Sequence, residues 1–112
     1  MVKDRGRVPI KDIRIGDILL PGHSVVTGTF EFEARGQPMV QLGPVTVSTN
    51  HYVMHEGKPI KAGNHPHAIS KGTWKSAAHL YCLNTHNHII PVEYLEFMDY
   101  DETRSEEHTS EL

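Results

Sequence analysis

Glycine and proline cut this chain into runs too short to carry an amphipathic helix of three turns. Nine glycines and seven prolines are spread through 112 residues. Turn signals recur about every eight to twelve residues, the spacing of all-β folds built from short strands. In residues 27–34, Phe30 and Phe32 fall on one face and Glu31 and Glu33 on the other, which predicts a half-buried strand. Residues 7–20 carry Val8, Ile10, Ile13, Ile15, Ile18, Leu19 and Leu20 around Gly16-Asp17. Helical spacing fails there, and two short strands about a Gly-Asp turn fit the pattern. Arg35-Gly36-Gln37-Pro38 reads as a hairpin turn into the strand Met39-Val40-Gln41-Leu42, and Gly43-Pro44 leads into a strand over 45–47. Glu56-Gly57 joins Tyr52-Val53-Met54-His55 to Lys58-Pro59-Ile60-Lys61. Residues 64–74, with Pro66 and Gly72, read as a loop in which Trp74 anchors loop or core. Residues 80–83, 88–92 and 94–100 read as further strands. The expectation is one all-β domain with a closed or wrapped sheet, because this length leaves little room for a second core.

The formal charge is −3 with histidine neutral and no basic stripe is present, so nucleic acid is not an expected partner. No apolar run approaches the roughly 20 residues of a membrane-spanning helix, and a membrane is not an expected partner either. Residues 1–5 lack the apolar region of a secretory signal. The lone Cys82 excludes an internal disulfide, and a monomer is expected. Residues 104–112, from Arg104-Ser105-Glu106 to Ser110-Glu111-Leu112, resemble the in-frame translation of a sequencing-library adapter. They are set aside as an artefactual tail, so the natural part is residues 1–103. The tail holds one Arg and three Glu, and without it the charge rises from −3 to about −1.

The nine histidines are the compositional oddity, and they invite acid–base and metal chemistry alike. Cys82 lies in Leu80-Tyr81-Cys82-Leu83-Asn84-Thr85, with His79 before it and His86 and His88 after. Upstream, Val47-Ser48-Thr49-Asn50-His51 pairs hydroxyls with an imidazole. A thiol, hydroxyls and imidazoles are the groups from which acyl-transfer sites are built. His65-Pro66-His67 and His86-Asn87-His88 share a spacing that on a strand puts both rings on one face. With His79 and Cys82 nearby, zinc is chemically conceivable. Asp99, Asp101 and Glu102 read as a solvated strand end.

Four segments in order resemble a Hint domain, the module shared by hedgehog autoprocessing domains and inteins. Val8-Pro9-Ile10-Lys11-Asp12-Ile13-Arg14-Ile15-Gly16-Asp17-Ile18-Leu19 looks like the stretch that follows the family's nucleophile. Val47-Ser48-Thr49-Asn50-His51 is similar to its Thr-x-x-His block, with Ser48 in the threonine position. Gly57-Lys58-Pro59-Ile60-Lys61-Ala62 is like the strand after that histidine. Leu80-Tyr81-Cys82-Leu83-Asn84-Thr85, with His88, resembles the late block. Together they span most of residues 8–103.

The resemblance implies a compact, pseudo-symmetric, horseshoe-like β fold and self-processing chemistry without a cofactor. A Cys or Ser at the domain's first residue attacks the preceding peptide carbonyl, an intramolecular N-to-S or N-to-O acyl transfer. The flanking polypeptide of the same precursor is then the partner. By the same carry-over His51 protonates the leaving nitrogen, and Ser48, with Thr49 beside it, offers a hydroxyl toward the scissile unit. Cys82 takes an auxiliary position, and His88 matches the late histidine that assists C-terminal cleavage. The chain departs from the pattern in three ways. Residues 1–7 hold no Cys or Ser, so the nucleophile segment is expected upstream of Met1 and this fragment is expected to be inactive. The tryptophan that one intein class has two residues after the histidine is here Val53. The C-terminal His-Asn block is not in the sequence. Two other readings stand beside this one: a histidine-rich, cupin-like metal-binding barrel, and an inert structural Hint remnant.

Overall fold

In a computed structural model of the chain, which describes residues 1–33, 36–74 and 79–103, ten strands form three antiparallel sheets. The first sheet has the order β1-β2-β8, with β1 at Ile18–Leu19, β2 at Ser24–Glu33 and β8 at His79–Thr85. The second has the order β6-β5-β10-β9. Its strands are β5 at Tyr52–His55, β6 at Lys58–Lys61, β9 at Ile89–Val92 and β10 at Leu95–Met98. The third places β3 (Gln37–Leu42) between β4 (Val45–Ser48) and β7 (Ile69–Trp74). A single α-helical turn, α1 at Tyr100–Thr103, is the only α-helix among the described residues. The all-β expectation holds. The tail at 104–112 lies outside the described residues.

Alternation in β2 produces the predicted two-faced strand. Phe30 faces Cys82 and Phe32 faces Leu80 across the β2–β8 pair, while Glu31 faces Tyr81 and Glu33 faces His79. On the polar face the Glu31 carboxylate meets His79 Nδ1 at 2.7 Å, a diagonal cross-strand pair. On the apolar face Tyr100 stacks on Phe30, with ring centres 4.4 Å apart. A bulge between Val26 and Gly28 shifts the register. A Cβ at Gly28 would lie 3.3 Å from the Phe30 ring and 3.4 Å from Asn84 Cβ, so the two strands approach closely there.

Three local readings are corrected. Residues 7–20 do not form two strands: Ile10–Asp12 is a 3₁₀ turn and the strand there is Ile18–Leu19 alone. Asp17 explains this, because its carboxylate accepts the Arg14 N–H at 2.9 Å and pairs with the Arg5 guanidinium, so the segment closes on itself. No hairpin joins β2 to β3, which lie in different sheets, since β2 pairs with β1 and β8 while β3 pairs with β4 and β7. Of that proposed turn, Arg35 lies outside the described residues. Residues 69–74 are strand rather than loop, because β3 offers them a paired edge; a register shift opposite Pro38–Val40 absorbs the irregularity. The side chain of Trp74 lies outside the described set.

The β5–β6 hairpin forms as read. Glu56 (φ 50°) and Gly57 (φ 79°) are both left-handed, the backbone of a type I′ turn that matches strand twist. The core draws on all three sheets: Leu19, Val26 and Leu83 from the first, Val53, Ile90, Leu95 and Phe97 from the second, Val40 and Leu42 from the third. Cys82 of β8, Val2 and Ala62 complete it.

Candidate functional site

A cleft of about 480 Å³ opens where the three sheets meet. Leu19 of β1, residues 45–47 of β4, residues 79–83 of β8, residues 90–92 of β9 and Phe97 of β10 form its walls. His51 and Cys82, far apart in sequence, both line it, and so do Met1 and Val2. Of the hydroxyls near His51, Thr46 reaches the cleft, whereas Ser48 and Thr49 do not line it, and neither does the His88 imidazole.

His51 is presented by the turn after β4. Its N–H donates to Ser48 O at 3.2 Å, and its carbonyl accepts Ala62 N–H at 2.7 Å. Thr49 braces the same turn, donating its N–H to Pro38 O at 3.1 Å and accepting from Gly63 at 3.0 Å. Ser48 and Thr49 therefore hold His51 through the main chain. The His51 ring is partly buried, with Nε2 2.8 Å from Met98 O. A carbonyl can only accept, so Nε2 carries the proton of the neutral ring and Nδ1 is left as its base. Burial pulls the His51 pKa below the ordinary imidazole value, against the opposing Met98 carbonyl and Asp99 charge. His51 is thus a neutral base near pH 7, and it becomes an acid only after taking up a proton.

Cys82 is 8 % exposed, and its thiol lies 3.8 Å from Leu83 O. Burial pushes its pKa up to about 11, with the Asp99 charge adding to the effect. It is a protonated thiol at neutral pH, which is the opposite of an activated nucleophile.

The late histidines occupy the β8–β9 turn rather than one strand face. His86 Nδ1 accepts the Val25 N–H at 2.9 Å, and His88, at φ 64°, lies 3.0 Å from Asp99 through Nδ1. The H-x-H spacing therefore yields no shared face here. Among the described residues no three His, Cys, Asp or Glu side chains are grouped to hold a metal. His65 and His67 lie in the loop after a 3₁₀ turn at Ala62–Asn64, beside His55, with ring centres 5.6 and 4.8 Å from His65.

Asp99 is the residue that sequence reasoning misjudged. It is fully buried rather than a solvated strand end. Oδ2 accepts from Thr85 N–H at 3.2 Å and contacts His88 Nδ1, while Oδ1 accepts Glu102 N–H at 2.9 Å. The signal was present, since Asp-x-x-Glu over residues 99–102 is a helix-capping pattern. Compared with models of known protein families, with characterised proteins and with solved structures, the chain matches none.

Proposed function

We propose that this chain is the body of a Hint-type autoprocessing domain, whose reaction is intramolecular acyl transfer at a peptide bond. One observation carries the reading: His51 and Cys82 line one cleft, and Met1 and Val2 line it too. Val2 is buried and bridges to Leu19, and Met1 O accepts the Leu20 N–H at 2.7 Å. A polypeptide leading into Met1 would pass His51, which the chemistry needs, and Cys82, which lines the same cleft.

In this reading an upstream Cys or Ser attacks the preceding carbonyl. His51 takes the nucleophile's proton on Nδ1, so the carbon–nitrogen bond can break as that proton passes to the departing amine. A neutral His51 suits the first step, and the imidazolium it becomes suits the second. Thr46 is the hydroxyl available to the reacting carbonyl from β4. Cys82 contributes a buried thiol to the apolar wall, and with its raised pKa it serves as an acyl acceptor only if a base deprotonates it.

The test is the upstream-extended reading frame expressed with a flanking reporter. His51→Ala is expected to slow cleavage by about 10²–10⁴-fold, the usual loss when general acid–base help is removed. Undiminished cleavage in that variant overturns the assignment. So does an upstream sequence without a Cys or Ser able to reach the cleft.

A further inference from the structure

Asp99 joins the cleft to the surface. Its own peptide begins at Met98, whose carbonyl fixes His51 Nε2 at 2.8 Å. Its carboxylate, fully buried, is held on three sides by Thr85 N–H, Glu102 N–H and His88 Nδ1. Its backbone N–H also donates to His88 O at 3.0 Å, so the β8–β9 turn and the end of β10 are tied twice. His88 itself is open to water, with 51 % of its side chain exposed. One ring of this chain of contacts therefore meets solvent and the other lines the cleft.

We propose that Asp99 is the positioning carboxylate of the cleft and that His88 governs its charge from the surface. The inference rests on the autoprocessing reading only for the use made of the His51 proton; the coupling itself belongs to this chain as it stands. The physical argument is short. A buried carboxylate acts through low-dielectric surroundings, so its field on a neighbouring imidazole is weakly screened. When His88 is neutral it donates an ordinary hydrogen bond and Asp99 keeps its full negative charge, which favours a proton on His51. When His88 is protonated the pair is nearly neutral, and His51 loses that support.

The charged groups around both rings agree with this. The largest influence on His88 is its bond to Asp99, which raises its pKa, and Asp101 and Glu102 add to the increase from α1. Asp99 is the one charged group acting on His51 among the described residues, and it acts on Cys82 as well. His79, the other imidazole of the cleft wall, is paired with Glu31 on the polar face of β2–β8. Acidification therefore charges His88 first and keeps His51 neutral to lower pH, preserving the base that the first proton transfer needs.

Proton NMR titration of the full chain tests the coupling without any catalytic readout. Asp99→Asn keeps the side-chain shape and is expected to lower the His51 midpoint by about half a pH unit. A unit charge is worth about that much even under water-like screening, so the weaker screening of a buried carboxylate makes this the smallest shift expected. His88→Asn, a surface change suited to the left-handed backbone there, is expected to raise the midpoint. A purely structural Asp99 would leave the His51 midpoint in place in both folded variants, and that result overturns the proposal. Should Asp99→Asn fail to fold, the His88→Asn midpoint decides alone: a rise supports the coupling, and no rise removes it.

Discussion

Two side chains of the cleft have pKa values displaced by the same cause and with opposite chemical result. Burial penalises the charged form, so it holds His51 neutral and ready to accept a proton, and holds Cys82 protonated and unreactive. Cys82 should therefore resist alkylation. With its pKa moved from 9.0 to about 11, the thiolate fraction near pH 8 falls about 100-fold, and the iodoacetamide rate with it. Mass spectrometry of the native and urea-unfolded chain checks this, and equal rates in the two would mean the thiol is open. The sequence made Cys82 visible as the sole thiol but could not give its state, because a pKa is set by neighbours from other strands. Asp99 is the mirror case. Its Asp-x-x-Glu spacing was legible, yet only the packing of the β8–β9 turn over it turns a cap into a buried charge.

At the scale of elements, the segments read correctly carry both their pattern and their turn locally. The β5–β6 hairpin is one: two short runs with the Glu56-Gly57 turn signal between them. Glu56 is the imperfect member, a straight-chain residue at φ 50°. Glu56→Asn supplies the Asn-Gly pair that this turn favours and is expected to add about 0.5–1 kcal/mol of stability. Urea denaturation measures it, and an unchanged midpoint would argue against a type I′ turn in solution. The elements misread depend on remote partners. Residues 69–74 hold Gly72 and few apolar side chains, so they look like loop until the edge of β3 satisfies their backbone groups. The expected β2–β3 hairpin failed for the same reason. β8 supplies the better partner for β2, matching apolar to apolar at Phe30–Cys82 and Phe32–Leu80.

Across the whole molecule, stability should depend on pH through two histidines of opposite sign. His88 has a native pKa raised above the unfolded value of about 6.5, so its contribution is complete below that pH and is lost as pH rises through the native value. His51 has a lowered native pKa, so its contribution is complete above about 6.5 and is lost as pH falls through the native value. From these two groups alone a maximum near pH 6.5 is expected. Urea midpoints measured across that range check it: His88→Asn should flatten the alkaline limb and, by raising the His51 value toward the unfolded one, make the acid limb shallower. A limb that steepens instead would show the Asp99 pair to be unfavourable.

The sequence by itself determined that this is an all-β chain of short strands. Glycine, proline and alternation act within a few residues and need no partner to be read. It also picked out His51 and Cys82 as chemical groups. Only the tertiary structure decided that the two share a cleft and that Ser48 and Thr49 act there through their backbone. It likewise decided that Asp99 is buried between His88 and the carbonyl that holds His51. Those facts depend on which strands pair across long separations, and on how much water the paired sheets exclude.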